Sequence, residues 1–116
     1  MAAVQITEDQ VLILAPDEPS KKSGKDLASP NKWVTKGSSE MAIWGECQGS
    51  GTKPYQTSID IRNIAFKCSC PSRKFPCKHG IGLGLLYARQ SQLFTNGEAP
   101  PWVSEWLQRR AVKEET

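Results

Sequence analysis

The chain has 116 residues, 38% hydrophobic and 23% charged, which is the composition of one small globular domain. Nothing in it approaches the roughly 18 consecutive apolar residues of a membrane span. The acidic amino-terminal segment lacks the basic region of a signal peptide. We therefore expect a cytoplasmic protein without a membrane partner, in a reducing compartment where clustered cysteines bind metal or catalyse more often than they form disulfides.

The net charge of +3 is unevenly distributed along the chain. Residues 1–20 carry a net charge of −4, whereas residues 21–94 carry +8 and residues 95–116 carry −1. A basic surplus in the central part of a chain favours polyanionic partners, although many solvated surfaces share it.

The amino-terminal segment contains two helix-start signals. Thr7 is a suitable N-cap for a short helix over "TEDQVLILA", and acidic residues occupy the first turn of that helix. Asp17 can cap a second short helix that ends near Ala28. Gly24 weakens that second helix, so a solvated loop is an equal alternative.

From Lys32 onwards, β-branched and aromatic residues are punctuated by glycine-containing turns, a pattern typical of strands. We predict strands near 41–48, 54–61 and 63–69, joined by turns at "GSGTK" and "IRN". Three consecutive strands with short connections indicate a small antiparallel meander.

Two helices are predicted in the second half of the chain. One runs from about residue 78 to 90, where Ile81 and Leu85 recur on one face. Gly82 and Gly84 each cost about 1 kcal/mol relative to alanine inside a helix, so we expect them to allow close packing. After a linker turn at "TNGEAPP", the segment "PWVSEWLQRRAVKEE" predicts an amphipathic helix. Its predicted inward-facing residues are Val103, Trp106, Leu107 and, as a further candidate, Trp102.

The stretch "CSCPSRKFPCKHG", residues 68–80, holds three of the four cysteines and the only histidine. Structural zinc sites are tetrahedral and are built from four Cys or His ligands. Pro71 ends the strand and Pro76 disfavours helix before it, so the intervening loop can return the second ligand pair to the first. The predicted ligands of one structural zinc ion are Cys68, Cys70, Cys77 and His79.

Alternatives exist for these residues. Each cysteine could be a small buried hydrophobe, the histidine could be an ordinary surface or core residue, and a disulfide could form. Cys47 lies outside the motif, and we favour a place in the core or beside the ligands over a role as a replacement ligand.

These elements predict an α+β fold. It comprises a small antiparallel three-stranded sheet with a zinc knuckle leading into a helix, plus flanking short helices. We divide the chain into an amino-terminal helical or loop segment (1–31), a zinc-binding core (32–94), and a linker with the carboxyl-terminal helix (95–116).

The motif CxC followed by CxH resembles the SWIM-type zinc finger. The wider stretch "WGECQGSGTKPYQTSIDIRNIAFKCSCPSRKFPCKHG", with the flanks "LAPDEPS" and "PWVSEWLQRR", resembles the amino-terminal region of bacterial SWIM zinc finger proteins. The resemblance implies a short sheet with the first ligand pair at a strand end and the CxH pair leading into a helix. It also implies binding to DNA, to protein, or to both.

The principal functional hypothesis is a zinc-stabilised nucleic-acid-binding module, with DNA a better candidate than RNA. The predicted phosphate-contacting residues lie in or near the motif and are Arg62, Lys67, Arg73, Lys74 and Lys78. The alternative is a protein-interaction adaptor within a larger assembly, because four tryptophans in a small domain cannot all be deeply buried. An enzyme is disfavoured, since four protein ligands close the zinc site and no second histidine is present. We expect no small-molecule substrate.

Overall fold

The structure, a computed structural model, describes residues 7–15, 17–39, 41–48, 53–61, 65–69 and 77–115, with side chains up to residue 109. Within these ranges, four α-helices and one five-stranded sheet form an α+β fold, which confirms the predicted class. The elements in chain order are α1 (Glu8–Ile13), α2 (Glu18–Leu27), β1 (Trp33–Ser38), β2 (Ala42–Cys47), β3 (Tyr55–Asp60), β4 (Ala65–Cys68), α3 (Lys78–Gln90), β5 (Thr95–Asn96) and α4 (Pro101–Glu115).

The sheet differs from the predicted three-stranded one. Its order is β4-β3-β2-β1-β5, with β1 to β4 antiparallel and β5 parallel to β1, so it is mixed. The three predicted strands correspond to β2, β3 and β4. The prediction missed β1, whose lysine and glycine interrupt the strand pattern, and β5, whose two residues are too short for any periodicity.

The turns predicted between the strands fall largely outside the described residues. The strands that they join nevertheless pair as expected, with Cys47 opposite Tyr55 and Asp60 opposite Ala65. The antiparallel meander of the prediction is therefore confirmed for these three strands.

Both amino-terminal helices have the predicted caps. The Thr7 hydroxyl accepts a hydrogen bond from the Gln10 backbone N–H at 3.2 Å, and the Gln10 side chain accepts one from the Thr7 N–H at 2.9 Å. This reciprocal pair is a capping box. Asp17 accepts a bond from the Ser20 N–H at 2.8 Å, so the segment that the sequence left open is helical.

The main core lies between one face of the sheet and helices α1, α2 and α3. Helix α3 is buried on every side from His79 to Leu86, because the sheet covers one flank and the other two helices cover the rest. Gly82 allows this arrangement, since a Cβ there would lie 2.7 Å from the Leu27 Cβ of α2. Trp33 ties β1 to α2 by donating its indole N–H to the Leu27 carbonyl at 2.8 Å.

A second, smaller cluster lies on the opposite face of the sheet, under α4. Val103 and Leu107 of α4 are buried against Ala42 and Trp44 of β2, which confirms the inward face predicted for them. The other two predicted residues, Trp102 and Trp106, are half-buried at the edge of this cluster.

Over the described ranges, no helix is both long and apolar enough to cross a bilayer.

Candidate metal centre

Three of the four predicted metal ligands lie together in the structure. Cys68 is the last residue of β4, Cys77 is the N-cap of α3, and His79 lies in the first turn of that helix. One potential donor atom from each lies within 4.8 Å of the other two. The Cys77 Sγ is 3.9 Å from the His79 Nδ1, and both side chains are buried. Strand end and helix start therefore converge as the sequence predicted.

The donor set fits zinc. Tetrahedral bonds of about 2.3 Å to sulfur and 2.0–2.1 Å to nitrogen place neighbouring ligand atoms roughly 3.6–3.8 Å apart. The observed separation of Cys77 and His79 is close to that value. Two thiols and an imidazole are also ligands that zinc prefers. Bound there, zinc would crosslink the end of β4 to the start of α3.

The fourth predicted ligand, Cys70, lies outside the described residues, as do both prolines of the inter-ligand loop. Cys70 therefore stays a prediction based on the CxC spacing. Cys47 is fully buried in the main core, as favoured from the sequence. The ligand group found among the described residues does not include Cys47.

Strand β3 lies next to β4 in the sheet, and two of its side chains contact the predicted ligands. Thr57 lies directly opposite Cys68, and its hydroxyl oxygen is 3.2 Å from the Cys68 sulfur. The Tyr55 ring packs on the His79 imidazole with centroids 5.0 Å apart and planes tilted by 49°. Both contacts come from outside the metal motif.

Two of the five predicted phosphate-contacting residues are described. Lys78 opens α3 and is exposed, whereas Lys67 is half-buried on β4. The other three, Arg62, Arg73 and Lys74, lie outside the described residues and stay predictions.

The structure adds two cations that the sequence reasoning missed. We use the term metal end for the end of the sheet at which Cys68 lies. Strands β2 and β4 end there, and strands β1 and β3 begin there. Lys32 immediately precedes β1, where its carbonyl accepts a hydrogen bond from the Gln48 N–H at 2.9 Å. Lys53 lies two residues before β3, and both lysines are exposed. Their separation in sequence from the ligands concealed their position at the same end of the sheet.

A polar cleft of about 490 Å³ opens at the metal end. It lies beside the acidic side chain of Glu46, which accepts a hydrogen bond from the Thr35 hydroxyl at 3.1 Å. The residues that line the cleft are Glu46, Lys53, Pro54, Tyr55, Gln56 and Ser69.

The fold and the ligand group define a small α+β structure with a candidate Cys/His metal site. The family comparison is more specific, because residues 66–86 match the model of the SWIM zinc finger. This match begins two residues before Cys68 and ends within α3, so it contains all four predicted ligands. The predicted resemblance to the SWIM zinc finger is therefore confirmed over this segment of the chain. No curated protein and no solved structure matches the chain significantly.

Proposed function

We propose that this chain is a nucleic-acid-binding module stabilised by one structural zinc ion, with DNA as the preferred partner. The observation that carries the proposal is the position of three exposed lysines, Lys32, Lys53 and Lys78. All three lie at the metal end of the sheet, and we refer to them as the metal-end lysines. Cations fixed on a rigid edge can contact successive phosphates and release counterions.

The exposure of the described side chains supports phosphate contacts over aromatic anchoring. Trp33 and Trp44 are buried and the other two tryptophans are half-buried, so none of the four is exposed. The same holds for every other aromatic side chain in the described ranges. Exposed lysines are therefore the more prominent feature at the metal end.

In this proposal the zinc supplies structure and no chemistry. With Cys70 as the fourth ligand, the ion has no open position for water or a substrate, so the module binds without catalysing a reaction. The remaining predicted cations, Arg62, Lys67, Arg73 and Lys74, would extend the basic surface around the knuckle.

The test compares two triple variants of the zinc-loaded chain. One replaces the metal-end lysines by glutamine, and the control replaces Lys21, Lys22 and Arg109, which lie on α2 and α4, so that the net charge falls equally. Binding to labelled duplex DNA, single-stranded DNA and RNA is measured by fluorescence anisotropy over a series of salt concentrations.

We expect the metal-end variant to lose at least tenfold in DNA affinity. The slope of log K against log salt should fall by roughly 1 for each lost phosphate contact. The control should retain wild-type affinity within about threefold. If both variants lost DNA affinity equally, the loss would be an effect of net charge and not of the metal-end lysines. Undiminished DNA affinity in the metal-end variant would refute the proposed binding surface. Tighter binding to RNA than to DNA would overturn the preference for DNA.

A protein-interaction adaptor is the second candidate, and one groove favours it. A depression of about 660 Å³ runs beside α4, with Met41 on its wall at 45% exposure. Its lining also includes the apolar side chains of Ala99 and Leu107, and apolar surface gathered in a groove favours a binding site. If this candidate is correct, Met41→Lys should abolish self-association or partner binding measured by light scattering and leave DNA affinity unchanged.

A further inference from the structure

Thr57 contacts a metal ligand although it lies outside both the motif and the matched segment. It is in the middle of β3 and pairs directly with Cys68 of β4. Its side chain has no exposed surface, and its hydroxyl oxygen lies 3.2 Å from the cysteine sulfur. This distance is short for a hydrogen bond that involves sulfur.

Metal binding fixes the direction of this hydrogen bond. In the free thiol state either atom can donate the proton. A zinc-bound cysteine is a thiolate without a proton, so its sulfur can only accept. The Thr57 hydroxyl must then be the donor, and a hydrogen bond to an ionised acceptor is stronger than one between neutral groups.

Strand β3 contacts both a cysteine ligand and the histidine ligand, because of its register with β4. Tyr55 and Thr57 are two residues apart, so their side chains point to the same face of the sheet. On that face Thr57 contacts the Cys68 sulfur and Tyr55 packs on the His79 ring. Strand β3 therefore contacts one ligand of the CxC pair, Cys68, and one ligand of the CxH pair, His79.

We propose that Thr57 is a positioning residue of the zinc site, which orients the Cys68 thiolate and protects it. A donated hydrogen bond withdraws electron density from the sulfur, so it slows attack on electrophiles and loss of the metal. Partners of this kind outside the coordination sphere typically change metal affinity by about 10–100-fold. The proposal rests on zinc binding at this site and is independent of nucleic-acid binding.

The test uses three variants of the whole chain loaded with zinc. Thr57→Val keeps the branched shape and removes the hydroxyl, while Thr57→Ser keeps the hydroxyl. Ser58→Ala is the control, because it removes a buried hydroxyl from the adjacent position of β3, on the opposite face of the sheet. Zinc affinity is measured by competition with a chromophoric chelator, and alkylation of Cys68 by iodoacetamide is followed by mass spectrometry.

Thr57→Val should weaken zinc binding by about 10-fold or more and accelerate Cys68 alkylation by a similar factor. Thr57→Ser and Ser58→Ala should stay within about threefold of the wild type. Wild-type behaviour of Thr57→Val, or a Thr57→Ser variant as impaired as Thr57→Val, would overturn the proposal. A cadmium-loaded wild type provides a measurement that does not depend on the folding of any variant. Its Thr57 hydroxyl proton should be protected from solvent exchange in NMR spectra, and fast exchange would also overturn the proposal.

Discussion

Substitution of Gly82 by alanine tests whether the close contact of α2 and α3 is essential. An added Cβ would lie 2.7 Å from the Leu27 Cβ and 3.2 Å from the carbonyl oxygen of Gly24. Carbon atoms in favourable contact are about 3.5–4.0 Å apart. The nearest neighbours are a Cβ and backbone atoms, which cannot rotate away, so α2 must shift as a unit.

The expected magnitude is the difference of two opposing effects. Alanine is favoured over glycine by about 1 kcal/mol inside a helix. Insertion of a methyl group into a well-packed core costs typically 1–3 kcal/mol. Because the surroundings of Gly82 are rigid, we expect a cost at the upper end of this range. We therefore expect the free energy of unfolding to fall by about 1–2 kcal/mol in the Gly82→Ala variant.

The assay is thermal unfolding of the zinc-loaded protein by circular dichroism. For a chain of this length, the melting temperature should fall by roughly 3–6 °C for each kcal/mol lost. Gly97→Ala is the matched control, because nothing lies within 4 Å of the position where its Cβ would be. The control should be neutral or stabilised by a few tenths of a kcal/mol. A Gly82→Ala variant as stable as the wild type would refute the close packing of the two helices.

Two further predictions concern the metal and α4. Because metal binding and folding are coupled in small zinc domains, native mass spectrometry should find one zinc per chain, and Cys77→Ser should lose both the zinc and the folded structure seen by circular dichroism. A metal-free but well-folded wild type would contradict the structural role of zinc. Leu107→Ala should lower the free energy of unfolding by about 2–5 kcal/mol, because Leu107 is only 5% exposed and packs from α4 onto the sheet. Leu93→Ala, at a position 37% exposed, should cost less than about 1 kcal/mol, and equal losses in denaturant titrations would contradict the assigned docking of α4.

Local patterns explain which parts of the fold were predictable. The caps at Thr7 and Asp17 act within three residues along the chain, so the sequence contains the whole interaction. The β-branched and aromatic residues that mark β2 and β3 are also a local signal. Strand β1 was missed because its pairing with β2, including an irregularity between Trp33 and Thr35, stabilises a segment whose own pattern is weak.

The metal motif was readable for the same reason, because its four ligands lie within twelve residues and their spacing alone indicates zinc. The sequence by itself thus determined the ligand types, the helix that follows them and the basic character of the centre of the chain. Tertiary structure alone decided that Thr57 faces Cys68 and that Lys32 and Lys53 reach the metal end. These neighbours are set by strand register, which depends on the packing of the whole sheet against its helices.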